Sequence, residues 1–253
     1  MTIRTVNTNG VAVIEIARPE KKNALTQAMY TAMAEAIVAA DADAAIRAVL
    51  ITGQPGIFTS GNDLEDFMMR PPQGEDSPVF QFMKALCECA KPVVAAVTGG
   101  AIGIGTTMLL HCDLVYVSDE ARLAMPFVGL GLVPEYASSL LVTQRVGHAK
   151  ATELLLLGEP FNGEAAVEMG IANAVLPAAE VVNHARRMAE RFNALPPGAV
   201  RESKALMRRA QKSLVEETIR TEAEIFGKRL RSPEAMEAFQ AFFQKRKPDF
   251  SKF

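Results

Sequence analysis

The sequence predicts an α/β fold on three observations. Strand-length apolar runs alternate with stretches of helical spacing, the strand runs are apolar throughout as in parallel strands covered on both faces, and strand signals stop near Val181. With 253 residues and 49% hydrophobic composition, the chain can bury a sizeable single core with an appendage.

Each element has a local reason. "TIRTVNTNGVAVIEIA" reads as two short strands joined at Asn9-Gly10, a dipeptide suited to the positive φ angles of a two-residue hairpin. "TQAMYTAMAEAIVAADAD" has apolar residues at helical spacing, with Thr26 as N-cap. "IRAVLITG" is a buried strand ended by Gly53. A polar segment over residues 70–78 precedes a helix over 79–90, and "PVVAAVTG" and "DLVYVS" are further buried strands. Beyond Val181 four amphipathic helical patterns follow, broken by Pro-Pro-Gly, Lys-Ser and Ser-Pro. The expected division is a core over residues 1–195 and a helical region over residues 196–253.

Charge narrows the function classes. A net charge of -2 argues against general nucleic-acid binding, which needs a strongly basic face. The distribution is uneven: residues 196–253 hold 13 Lys and Arg against 8 Asp and Glu. That basic region is either a solvated helical face or a local phosphate contact. The uncharged runs 92–110 and 123–134 carry Gly and Pro and are separated by Asp113, Asp119, Glu120 and Arg122, so they read as buried strand-turn-helix segments rather than membrane spans. Three cysteines without zinc spacing and an N-terminus without an apolar secretory core lead to an expected cytoplasmic setting. His111, His148 and His184 lack metal spacing, so no metal is expected; His111 reads as a core residue.

Three loops after apolar strands can carry chemistry. In "GIFTSGNDLEDF", Ser60-Gly61-Asn62-Asp63 is a turn signature, either a close backbone approach to a ligand or a plain turn capping a helix. "GGAIGIGTTMLL" misses the dinucleotide fingerprint because Met108 stands at the third glycine position; its N–H groups at Gly103 to Gly105 suit an oxyanion, or its glycines serve close helix packing. In "GLGLVPEYASS", Glu135 is the only charged residue between Leu123 and Val142. It is either an acid in the first turn of a helix after Pro134 or a carboxyl group placed in an apolar setting for proton transfer.

Taken in order, "ARPEKKNALT", "IFTSGNDLEDF", "KPVVAAVTGGAIGIGTTMLLHCDLVYVSDEARLAMPFVGLGLVPE", "GHAKATELLLLGEPFNGEAAVEMGIANAV" and "FFQKRKPDF" resemble the crotonase (enoyl-CoA hydratase/isomerase) superfamily over nearly the whole chain. The resemblance implies a crotonase-like spiral of β-β-α turns with a C-terminal helical trimerisation region, assembled as a homotrimer or hexamer. It implies an acyl-CoA thioester as substrate, with no cofactor beyond the coenzyme A that the substrate carries. The thioester oxygen would lie between the backbone N–H groups of Asn62 and Ile104. Ser60, Gly61, Asp63, Leu64, Lys21 and Lys22 would contact coenzyme A, and the basic tail at Lys245 to Lys247 would reach a neighbouring subunit's coenzyme A.

Hydratases of the family use two glutamates, and Thr107 and Phe127 occupy those places here. Neither is a base. "PFVGLGLVPEYASS" is instead similar to peroxisomal-type delta-3,delta-2-enoyl-CoA isomerases, whose single glutamate follows such a proline, which makes Glu135 the implied base. That subgroup has Gly after its glutamate where this chain has Tyr136, so Thr107, Phe127 and Tyr136 are expected to shape the acyl pocket. Other crotonase-type activities, hydration among them, and non-catalytic acyl-CoA binding are the alternatives.

Overall fold

The computed structural model describes residues 2–71 and 74–253. Of the expected polar segment 70–78, residues 72 and 73 lie outside the described residues.

Strands β1 (Ile3–Thr8) and β2 (Val11–Ile16) form the antiparallel hairpin, with Thr8 opposite Val11 and Asn9 and Gly10 both at positive φ. Helix α1 (Gln27–Ala42) starts where Thr26 accepts a hydrogen bond from the Met29 N–H at 3.4 Å. Three strand pairs then follow along the chain: β3 (Ala48–Thr52) with β4 (Ile57–Thr59), β5 (Val93–Val97) with β6 (Gly100–Ile102), and β7 (Leu114–Ser118) with β8 (Arg122–Ala124). Within each pair the first strand joins the larger sheet and the second joins the smaller one. The larger sheet runs β1-β2-β3-β5-β7-β10 and the smaller β4-β6-β8-β9, where β9 is Phe161–Asn162 and β10 is Ala174–Leu176. Repetition of this step gives the crotonase spiral, with parallel pairing between successive turns.

Helices α2 (Leu64–Met69), α3 (Pro78–Glu88), α4 (Ile104–Thr107), α5 (Ser138–Leu155), α6 (Gly163–Glu168) and α7 (Val181–Glu190) fill the crossovers. The runs "AVLIT" and "VVAAV" lack polar alternation because both faces of the sheet are covered. Val49, Ile51, Val93, Ala95 and Val97 belong to one buried cluster with the apolar residues of α1 and α3, while Leu50, Val94 and Ala96 belong to a second with Val181, Ala185 and Ala189 of α7. Burying such side chains contributes about 1.5–3 kcal/mol each before entropy is subtracted.

The four helical patterns after Val181 are α7, α8 (Pro197–Arg209), α9 (Lys212–Arg229) and α10 (Pro233–Phe243). The basic charge here is not all solvated. Lys204 donates to Asp113 Oδ2 at 2.6 Å and to the Lys91 carbonyl at 2.6 Å, and Arg208 donates to Asp113 Oδ1 at 2.9 Å, which docks α8 on the loop before β7. None of the helices among the described residues is long and apolar enough to cross a membrane.

Candidate active site

The three loops singled out in the sequence leave the carboxyl ends of β4, β6 and β8, adjacent parallel strands of the smaller sheet. Sequence order alone does not make them neighbours; the sheet does.

The first loop is fixed by Asn23, a buried residue at φ 55°. Its side chain accepts from the Arg18 N–H at 2.7 Å and donates to the carbonyls of Ile57 and Phe58, both at 3.1 Å. Leu25 then grips the loop on either side of Asn62, donating to the Gly61 carbonyl at 2.8 Å and accepting from the Asp63 N–H at 2.9 Å. The Asn62 N–H therefore faces away from Leu25. Tyr30, buried in α1, donates its hydroxyl to Asn62 Oδ1 at 2.5 Å. Asp63 is committed structurally: it caps α2 through the Asp66 N–H and pairs with Arg18 at 2.6 Å. Burial opposes its ionisation, but these hydrogen bonds hold its carboxyl below the usual carboxylate range.

The second loop turns at Gly103, whose φ of 58° with ψ of -120° is a conformation for glycine. The Gly103 N–H is taken by the Ala124 carbonyl at 2.8 Å, and its own carbonyl accepts from Thr106 and Thr107. Ile104 is the first residue of α4, so its N–H has no intrahelical acceptor.

The third loop carries Glu135, and here one sequence reading is corrected. Glu135 does not sit in the first turn of a helix; α5 begins at Ser138, after Tyr136 (φ 60°) and Ala137 (φ 56°) in the left-handed region. Two such residues cost about 1–2 kcal/mol each. The carboxylate at the N-terminus of α5 is Glu222, from α9. It accepts from the Ala137 N–H at 2.6 Å, the Ser139 N–H at 3.0 Å and the Ser139 hydroxyl at 2.5 Å. Nothing in the local sequence around Glu135 points to this partner, since the contact spans 85 residues.

Glu135 is 7% exposed, and among the described residues its carboxyl group accepts one hydrogen bond, from Thr107 Oγ1 at 2.5 Å. Burial pushes its carboxyl from 4.5 up to about 8; the Thr107 hydroxyl opposes this, and the charge of Glu222 adds to it. Tyr136 is fixed on every side. Its ring stacks on His111 at 3.8 Å, its hydroxyl donates to the Met83 carbonyl at 2.8 Å, and its carbonyl accepts from His111 Nε2 at 2.8 Å. A carbonyl only accepts, so Nε2 carries the proton and Nδ1 faces Cys87 Sγ at 3.3 Å. Burial holds His111 down to about 3, and the ring is neutral. His111 is thus a core residue, as its sequence setting suggests.

Two cavities meet at Asn62, Phe67 and Phe226. One, of about 480 Å³, brings together Lys21, Lys22, Ser60, Gly61, Asp63, Leu64, Ile104 and Phe127. The other, of about 510 Å³, holds Glu135 and Tyr136 with Val79, Phe80, Met83 and Ile219. Thr107 is fully buried and meets Glu135 rather than either cavity, and Phe127 lines the first cavity whereas Tyr136 lines the second. The sequence reading missed Phe239, Phe242 and Phe243 of α10, which line the first cavity. The tail folds onto its own helix, Arg246 bonding Glu237 at 2.5 and 3.0 Å. Among the described residues no three His, Cys, Asp or Glu side chains converge to hold a metal ion.

Known proteins agree with this architecture. A sequence model described as enoyl-CoA hydratase/isomerase matches residues 6–252. The chain is 30% identical over 246 residues to a probable enoyl-CoA hydratase of Bacillus subtilis (strain 168), covering 95% of each. It is 32% identical over 252 residues to enoyl-CoA delta isomerase 2 of Homo sapiens, covering 97% of this chain and 64% of the human protein. Among solved structures, Pseudomonas aeruginosa OdaA superposes with a TM-score of 0.94 at 55% identity, covering 95% of this chain and 98% of that one. An enoyl-CoA hydratase/isomerase from Pseudoalteromonas atlantica T6c gives 0.94 at 41% identity, covering 99% and 100%. With the family pattern matched from end to end and the spiral of paired strands in place, this chain belongs to the enoyl-CoA hydratase/isomerase (crotonase) family.

Proposed function

We propose that this chain is an enoyl-CoA isomerase that moves a 3-enoyl-CoA double bond to the trans-2 position, with Glu135 as its single base. The observation that carries this reading is a buried carboxyl group of raised proton affinity lining a cavity that meets the coenzyme A side at Asn62; Glu75 and Glu224, which line the same cavity, are exposed and ion-paired. A group of that kind takes a proton and returns it near neutral pH, as a one-base isomerisation requires.

Glu135 removes a proton from C2 of the 3-enoyl thioester. The C–H electrons flow toward the carbonyl, and the dienolate charge rests on the thioester oxygen. The Asn62 and Ile104 N–H groups stabilise that oxygen; loss of one such donor costs on the order of 100- to 1000-fold in rate. Glu135 then delivers its proton to C4 and the double bond settles between C2 and C3. No water is consumed. Lys21 and Lys22 meet the phosphates and the Ser60–Leu64 loop meets the rest of coenzyme A, with Asp63 holding that loop through Arg18. Tyr136 walls the acyl side.

Hydration is the second reading, favoured by the B. subtilis relative's name. Against it, Thr107 and Phe127 replace the two hydratase acids, and Glu222 is occupied by three donors and lines neither cavity. Incubation with 3-hexenoyl-CoA and with a 2-enoyl-CoA separates them. Conversion of the first supports isomerisation, whereas rapid formation of a 3-hydroxyacyl product from the second would replace it with hydration. Binding of both without turnover would leave an acyl-CoA-binding protein.

A further inference from the structure

We propose that Glu222, on α9, is a positioning residue that holds the left-handed turn carrying the base Glu135. This inference rests on the assignment of Glu135 as base.

The turn needs an outside constraint. Tyr136 and Ala137, neither of them glycine, are consecutive at φ 60° and 56°, a geometry that persists only where the surroundings fix it. On one side Tyr136 is fixed by His111 and Met83. On the other side the constraint is Glu222, 6% exposed, whose two oxygens are both used. Oε2 accepts from Ala137, the last left-handed residue, while Oε1 accepts from the backbone and hydroxyl of Ser139. Only a side chain with two acceptor atoms satisfies N–H groups on both sides of Ser138. Glutamine presents one oxygen and one NH2, so one of those N–H groups would face a donor. Glu222 lines neither cavity, and both of its oxygens are committed to the turn.

The arrangement also divides roles between the two acids. Burial raises the proton affinity of both acids; three donors oppose that rise at Glu222, whereas at Glu135 the Thr107 hydroxyl alone opposes it. The other titratable groups facing Glu135 are Tyr30 of α1 and Tyr136, the latter backed by Cys87 and neutral His111. No cation shifts either acid among the described residues.

The test is steady-state kinetics of the full chain on 3-hexenoyl-CoA from pH 6 to 10, with Glu222→Gln, Ser139→Ala and Glu135→Gln. Glu222→Gln is expected to lower kcat on the order of 10- to 100-fold, with KM within about 2-fold, as misplacement of a reacting group does. Its kcat/KM limb moves to lower pH, because removing a negative neighbour lowers the proton affinity of Glu135. A merely structural role would leave that limb in place. Ser139→Ala removes one of the three bonds and gives a smaller kcat loss with unchanged KM; it decides the matter where Glu222→Gln does not fold. Wild-type kcat and an unmoved limb, with Glu135→Gln inactive, would overturn the role of Glu222 alone. An active Glu135→Gln would remove the base assignment instead.

Discussion

Replacing Thr107 with Val changes the proton affinity of Glu135 while keeping the shape of a fully buried site. The Thr107 hydroxyl donates to Glu135 Oε1 at 2.5 Å and opposes the rise caused by burial. A hydrogen bond to a charged group is worth about 1.5–3 kcal/mol, and one pH unit corresponds to about 1.4 kcal/mol. Its loss therefore moves the titration of Glu135 from about 8 upward by about one to two pH units. At pH 7 the ionised fraction drops on the order of 10- to 100-fold, and kcat/KM for 3-hexenoyl-CoA drops with it. Above pH 10 the variant recovers most of the wild-type rate. The assay is a kcat/KM profile from pH 6 to 10.5 for both proteins, with far-ultraviolet circular dichroism to check the fold. A variant limb at or below that of the wild type would refute the argument that Thr107 tunes the base.

Two further outcomes follow from the same geometry. The folded-state proton affinity of Glu135 is raised, so its contribution to stability is fully present below its ordinary value of 4.5 and is lost as pH climbs through about 8. The thermal midpoint of the wild type should fall between pH 6 and pH 9 by more than that of Glu135→Gln, and parallel curves would contradict the shift. Asn23→Ala leaves the Arg18 N–H and the Phe58 carbonyl without their partner at a buried site; urea denaturation should show a loss of about 2–4 kcal/mol, and a loss below about 1 kcal/mol would deny Asn23 its role in the loop.

Much of this molecule is legible because its signals are local. Asn9-Gly10, the Thr26 cap and the unbroken apolar runs of β3 and β5 each have a cause within a few residues, and each stands where it is expected. The family pattern likewise carries the loop order, and with it the gathering of Lys21, Ser60, Asn62 and Ile104 around one cavity. What the sequence hides is long-range. Of the two readings of Glu135, the first-turn position is not the one it occupies; Glu222 arrives from α9 to stand at the start of α5 instead. Lys204 and Arg208, within the basic region that reads as either a solvated helical face or a local phosphate contact, turn inward to Asp113 because α8 packs on the core. Tyr136, the departure from the subgroup pattern, adopts a left-handed conformation, where glycine would sit without strain. His111 and Met83 hold it there from other elements.

Single-base isomerisation is tested most directly by the rate at which purified Glu135→Gln converts 3-hexenoyl-CoA to trans-2-hexenoyl-CoA, beside the wild type at pH 8. The substitution is expected to reduce kcat on the order of 10²- to 10⁴-fold, the range for loss of a general base, with coenzyme A thioester binding retained. Wild-type turnover by that variant would contradict the assignment.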